Sequence, residues 1–145
     1  MNETIRRFGY PATLVADYAH WLVLLRPAQP TLGSLVLAAK SEAKAFSELE
    51  PAAFTELARV IADIEVTLRD RVDYAKINYL MLMMVDPHVH FHVIPRYDGA
   101  RAACGIEKAD AGWPKAPALG DAVALDGEGI AALVGWLKAR WPSAR

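Results

Sequence analysis

Three of the four histidines in this chain stand at every second position, in His88-Val89-His90-Phe91-His92-Val93-Ile94. Strict alternation with large apolar and β-branched residues is a strand signature. It places the imidazoles on one face, with alternate positions ~6–7 Å apart. Val89, Phe91 and Val93 then face a core. Histidine serves as metal ligand, proton shuttle or nucleophile. Catalytic zinc takes three protein ligands, at bonds of ~2 Å. Three residues in line on one strand splay by ~13 Å, so a third ligand would come from elsewhere. The remaining histidine, His20, lies beside an apolar run near the start of the chain. A metal-dependent enzyme using His88 and His90 is therefore the weaker reading. The stronger is nucleophilic attack by a neutral imidazole nitrogen on phosphorus, with the group carried as a covalent intermediate. His90, in the middle, is best placed for attack, and its neighbours on the same face can bind phosphate oxygens or the leaving group.

Such a row needs elements to hold it. Trp21-Leu22-Val23-Leu24-Leu25 reads as a strand. Arg26 to Gly33, broken by two prolines and a glycine, reads as a loop, and Ser34 to Ala39 as the return strand. Pro51 suits the first turn of a helix over about 51 to 72. Phe54, Leu57, Ile61, Ile64 and Leu68 form its apolar stripe. Lys76 to Val85 is nearly continuous apolar and strand-like, with Met81, Met83 and Met84 as core packing. Asp86-Pro87 turns it tightly into the histidine strand, which makes the two antiparallel neighbours and puts the histidines in a central strand. From 98 to 124 the chain is rich in Gly, Ala and Pro and reads as an extended loop or tail, with Trp113-Pro114 as an anchor that can fold over the site. A last helix, capped by Asp126, runs from about 127 to 141.

Length and composition fit this organisation. At 145 residues the chain suits a single domain spanning 1–145. A 54% hydrophobic and 23% charged composition is that of a soluble globular protein. The net charge of −1 gives no global attraction to nucleic acid or anionic membrane. One cysteine, Cys104, excludes an internal disulfide framework and a cysteine-rich zinc site. The N-terminus leads into Phe8-Gly9-Tyr10-Pro11 rather than an apolar signal region, and no run approaches the ~18–20 apolar residues of a membrane span. The expectation is a cytoplasmic protein.

The run His88 to Ile94, extended by Pro95-Arg96, resembles the histidine-triad (HIT) motif, His-φ-His-φ-His-φ-φ. The first strand, the loop to Gly33, the return strand and the helix after Glu50-Pro51 also come in that family's order and spacing. The resemblance covers roughly residues 15 to 97 and is closest in layout to the Fhit-like, diadenosine-polyphosphate hydrolase branch. It implies an α+β fold around a five-stranded antiparallel sheet, with a long helix and a C-terminal helix, usually as a homodimer. It implies attack on the α-phosphate of a nucleotide, with no tightly bound cofactor and magnesium accompanying the substrate's phosphates. By position, His90 resembles the nucleophile, His88 the residue that orients it, and His92 the partner near phosphate and leaving group. Asn78 resembles a ribose- or phosphate-contacting residue.

The chain departs from the family pattern in places. Met83-Met84 stand where many members carry Gly-Gln, whose amide contacts the phosphate. Gly33-Ser34 replaces a common Gly-His, and Arg26 replaces an asparagine at the end of the first strand. Arg26, Ser34 and Arg96 are therefore further candidates for holding phosphate. The leading expectation is a nucleotidyl hydrolase of dinucleoside polyphosphates or related adenylates. A nucleoside phosphoramidase and a low-turnover nucleotide-binding regulatory module are the alternatives, the latter because of Met83-Met84.

Overall fold

A computed structural model describes residues 1–142; the last three positions of the single domain expected over 1–145 lie outside the described residues. The elements in chain order are α1 (Glu3–Arg7), β1 (Leu14–Asp17), β2 (Trp21–Leu25), β3 (Ala28–Gln29), β4 (Leu35–Ala39), α2 (Pro51–Val72), β5 (Lys76–Leu80), β6 (His90–Arg96), β7 (Ala100–Ala103), β8 (Ile106–Ala109), β9 (Val123–Ala124) and α3 (Gly127–Lys138). Five strands form one antiparallel sheet in the order β1-β2-β4-β6-β5, the α+β architecture expected from the sequence. β2 and β4 are buried along their whole length because both faces of the sheet are covered.

The register separates the two faces. Val23, Leu37 and Phe91 lie side by side across β2, β4 and β6, as do Leu25, Leu35 and Val93. This face packs on Val60, Ile64, Leu68 and Val72 of α2 and on Leu133, Val134 and Leu137 of α3, forming the main core. The opposite face aligns Leu22, Ala38 and His90, and next to them Leu24, Val36 and His92. Ile5 of α1 covers its aliphatic part, joined by Phe8 and Tyr10. The histidines therefore sit on the face covered by the N-terminal segment, away from the long helix. Truncating Ile64, fully buried in the main core, costs about 2–5 kcal/mol.

Several expectations are corrected. The stripe of α2 is partly corrected: Ile64 and Leu68 are buried in the core as expected and Leu57 packs against it, joined by Ala53, Val60 and Val72, whereas Phe54 is 42% exposed. At the start of α2 Trp21 donates its indole N–H to the Ala53 carbonyl at 2.8 Å, a close approach that a small side chain permits. Asp63 on the inner face accepts a hydrogen bond from the Tyr18 hydroxyl at 2.8 Å.

The strand expected over 76–85 ends at Leu80, where its ladder with β6 stops opposite His92. The chain then loops outward. Met83 takes a left-handed φ of 50°, and Met84 and Val85 are 86% and 80% exposed, so Met84 is not core packing. The region 98–124 is not an unstructured tail. β7 and β8 form a hairpin across Cys104-Gly105, both left-handed (φ 53° and 75°), the geometry of a two-residue type I′ turn. β9 pairs with β3. The last helix ends at Lys138, with Asp126 capping it through Gly129 N–H at 2.7 Å. Gly33 meets two demands: its φ is 89°, and a Cβ there would lie 2.8 Å from Val72.

Candidate active site

β6 lies between β4 and β5, so the histidine strand is flanked on both sides. His90 and His92 are on the strand, and His88 sits in the bend before it. All three side chains are buried, with His90 only 1% exposed. The rings of His90 and His92 stand edge to face with centroids 5.1 Å apart. The Phe8 ring packs on both, at 5.5 Å and 5.7 Å.

Hydrogen bonds set the state of each ring. His90 Nδ1 lies 2.7 Å from the main-chain carbonyl of His88. A carbonyl only accepts, so Nδ1 carries the proton and Nε2 of the neutral ring carries the lone pair. His92 is the reverse. Its Nδ1 accepts from Arg26 Nε–H at 3.3 Å, so the neutral ring carries its proton on Nε2. Burial, then the charge of Arg26 and then His90, push the His92 pKa down from 6.5 to about 4, against the opposing pull of Asp86. His92 is thus a neutral N–H donor at physiological pH. Burial also lowers the pKa of Arg26, whose Nη1 donates to the Ala28 carbonyl at 2.6 Å. The site therefore sets a basic nitrogen, His90 Nε2, beside a donor, His92 Nε2–H.

His88 is held from two sides. Its Nδ1 is 2.8 Å from the Thr4 hydroxyl, and its Nε2 is 3.3 Å from the Glu42 carboxylate. Thr4 also accepts from the His88 main-chain N–H at 3.3 Å. α1 is itself fixed by Asn2, which caps the helix through Ile5 N–H and donates to the carbonyls of Ala39 and Ser41. Thr4, Phe8 and Glu42 were not picked out from the sequence. The only signal for the first two is a short one: an Asn2 cap followed by Ile5 and Phe8 three apart.

The other candidates are dispersed. Arg26 lines a cleft of about 230 Å³ with His90, His92, Phe8, Asp86 and the loop Leu82–Val85. Met83 and Met84 thus stand at its rim as apolar thioethers. Ser34 is fully buried and spends its hydroxyl on Thr31. Arg96 is 3% exposed and forks onto Asp110 through Nε at 2.8 Å and Nη2 at 3.1 Å. Its Nη1 donates to Asn78 Oδ1 at 2.9 Å. Asn78 and Arg96 share the histidines' sheet face but line a separate cleft with Trp113. His20 is remote, its Nδ1 3.1 Å from Glu50. Among the described residues no group of three His, Cys, Asp or Glu side chains is arranged to hold a metal ion, and no helix is long and apolar enough to cross a membrane.

Comparison with known proteins agrees with this geometry. The family model described as HIT domain matches residues 11–99. No curated protein matches the sequence. Solved structures share the fold over nearly the whole chain. A histidine triad protein from Bradyrhizobium japonicum is 19% identical, covering 97% of this chain and 96% of that one, with a TM-score of 0.73. A histidine triad protein from Sinorhizobium meliloti is 20% identical, covering 97% and 95%, with a TM-score of 0.74. A hypothetical histidine triad nucleotide-binding protein from Sulfolobus tokodaii is 18% identical, covering 94% and 88%, with a TM-score of 0.68.

Proposed function

The chain belongs to the HIT domain family, and from that premise we propose that it is a nucleotidyl hydrolase of the Fhit-like kind, cleaving dinucleoside polyphosphates or related adenylates at the α-phosphate. The observation that carries this reading is the opposed tautomers of His90 and His92, a nucleophile and a donor side by side. His90 Nε2 attacks the α-phosphorus, forming a P–N bond. The bridging P–O bond breaks and its electron pair leaves with the distal phosphate oxygen, which His92 Nε2–H stabilises by hydrogen bonding. Water then attacks the phosphorus and gives up a proton to solvent, the P–N electron pair returns to His90 Nε2, and a nucleoside monophosphate is released. Arg26, already at His92, supplies positive charge for the phosphate oxygens. His88 orients His90 through its main-chain carbonyl.

The reading includes no resident metal: His88 has both ring nitrogens engaged, by Thr4 and Glu42, and does not pair with His90 as a ligand. Magnesium accompanies the substrate's phosphates, and residual turnover in chelator separates this reading from a metal-dependent enzyme using His88 and His90. It also includes a homodimer, supported by the edge of β5, which among the described residues pairs with β6 alone. Light scattering then returns twice 15.9 kDa.

A second reading has its own observation. Phe8 packs on both rings, His90 is 1% exposed, and Met83-Met84 line the rim. These favour a nucleotide-binding module of low turnover. Nucleotide release from diadenosine tetraphosphate, with adenosine phosphoramidate alongside, decides the matter in wild type and His90→Ala. Turnover lost in the variant supports the hydrolase, and the better compound chooses between hydrolase and phosphoramidase. Binding without turnover supports the module.

A further inference from the structure

A second cleft, of about 520 Å³, opens on the histidine-bearing face of the sheet, lined by Lys76, Asn78, Arg96 and the loop Trp113–Ala116. The register fixes its relation to the histidines: Leu80 lies opposite His92, Asn78 opposite Ile94, and Lys76 opposite Arg96. Alternate residues share a face, so Lys76 and Asn78 follow His92 along one side of the sheet. Four residues of strand, ~13 Å, separate His92 from Arg96.

The walls of this cleft are locked together. Arg96 is neutralised by Asp110 through a two-point contact. The same Asp110 accepts from Gly112 N–H at 3.2 Å, and its carbonyl accepts from Trp113 N–H at 3.3 Å. The loop can close only with glycine at 112, because a Cβ there would lie 2.3 Å from the Ala116 carbonyl oxygen. The buried ion pair therefore docks the loop carrying Trp113 and Lys115 against β5 and β6. Arg96 Nη1 also takes the Asn78 carbonyl oxygen, which leaves the Asn78 NH₂ as a donor on the cleft side. Lys76 and Lys115 are exposed, and neither is in an ion pair among the described residues. The half-buried Trp113 indole supplies an aromatic surface.

Charge also gives a direction. On the His88 side the carboxylates are already partnered, Glu42 by His88 and Asp86 by Arg7. On the other side stand Arg26, then Lys76 and Lys115. A polyphosphate held at His90 is drawn to the side of the cations that are unpaired among the described residues.

We propose that this cleft is the subsite for the distal nucleotide of a dinucleoside polyphosphate, with Lys76 and Lys115 meeting its phosphates, Asn78 donating to them, and Trp113 stacking on its base. This deepens the hydrolase reading and rests on it for the position of the scissile phosphate. Paired ammonium groups beside an indole suit an anionic nucleotide rather than a neutral leaving group.

The test is calorimetric binding of diadenosine tetraphosphate and of AMP to the full chain carrying the near-isosteric His90→Asn, so that ligand is not consumed. The comparison is with the same chain carrying Lys76→Ala and Lys115→Ala, and separately Trp113→Leu, each checked for an unchanged melting transition. The expected result is about tenfold or greater weakening for the dinucleotide in the lysine variant, a smaller loss in Trp113→Leu, and AMP affinity within about twofold. Equal weakening of both ligands, no weakening, or a dinucleotide that binds no tighter than AMP overturns the subsite. Wild-type turnover is read separately. Selective loss of dinucleotide binding without any turnover removes the hydrolase reading and keeps the cleft; turnover without selective loss does the reverse.

Discussion

Arg26 Nε lies 3.3 Å from His92 Nδ1, a contact that only an unprotonated Nδ1 accepts. This one contact ties the end of β2 to the histidine strand and gives His92 its role as a donor through Nε2. Its titration is the first consequence. The His92 pKa is held near 4 against 6.5 in the unfolded chain, chiefly by burial and then by Arg26. A histidine whose folded pKa is depressed takes up more protons when unfolded. Between 6.5 and 4 falling pH therefore favours the unfolded state, and the stability lost to His92 levels off below about 4. Histidine NMR titration should place His92 near 4 in the wild type and move it upward in Arg26→Met, where the second-largest cause is gone. A His92 that titrates near 6.5 in the wild type contradicts the assignment.

Thr4 tests the hold on His88. Thr4→Val keeps the shape but leaves a buried imidazole nitrogen without its partner, at a cost of ~1–3 kcal/mol. Thr4→Ser, which restores the hydroxyl, should recover most of that loss in a denaturant melt. If Val and Ser variants melt alike, the contact contributes nothing.

Asp110 binds Arg96, Tyr97 N–H and Gly112 N–H at once. Asp110→Ala leaves Arg96 charged and buried, and removes the anchor for Tyr97 N–H and Gly112 N–H. Loss of one partner of a buried pair costs ~3–5 kcal/mol. Urea unfolding measures this directly, and a change below 1 kcal/mol would show that water reaches Arg96 freely.

Phe8 screens the site. Removing its ring in Phe8→Ala should speed acylation of His90 and His92 by an imidazole-directed reagent, since His90 is 1% exposed beneath it. An unchanged modification rate means that the rim residues, not Phe8, cover the rings.

The sheet and the long helix were legible because their signals are periodic and uninterrupted. Trp21–Leu25 is apolar on both faces, as a strand covered on both sides must be, and Pro51 marks the first residue of α2. The histidine row was legible by its alternation, although the strand proper starts at His90. What escaped depends on tertiary contact. The Met81–Val85 run looks like a strand, but its ladder stops at Leu80 and a left-handed Met83 turns it into solvent. The β7–β8 hairpin turns on Cys104-Gly105, a pair that lacks the usual asparagine or aspartate signal. Thr4 and Phe8 reach the site only because α1 folds back across the sheet, joining residues 84 apart in the case of Thr4 and His88. Arg96 is a candidate for holding phosphate because the chain lacks the Gly-Gln amide. Its pairing with Asp110 joins the end of β6 to the segment after β8, a partnership the sequence pattern does not announce.

The central claim is that His90 Nε2 becomes bonded to phosphorus. The most direct measurement is mass spectrometry of the chain quenched at mildly alkaline pH, where a P–N bond survives, during turnover of diadenosine tetraphosphate. The account predicts an adenylyl group on the peptide that contains His90, and neither adduct nor turnover in His90→Asn. Turnover by wild type without an adduct, together with an active His90→Asn, would contradict it.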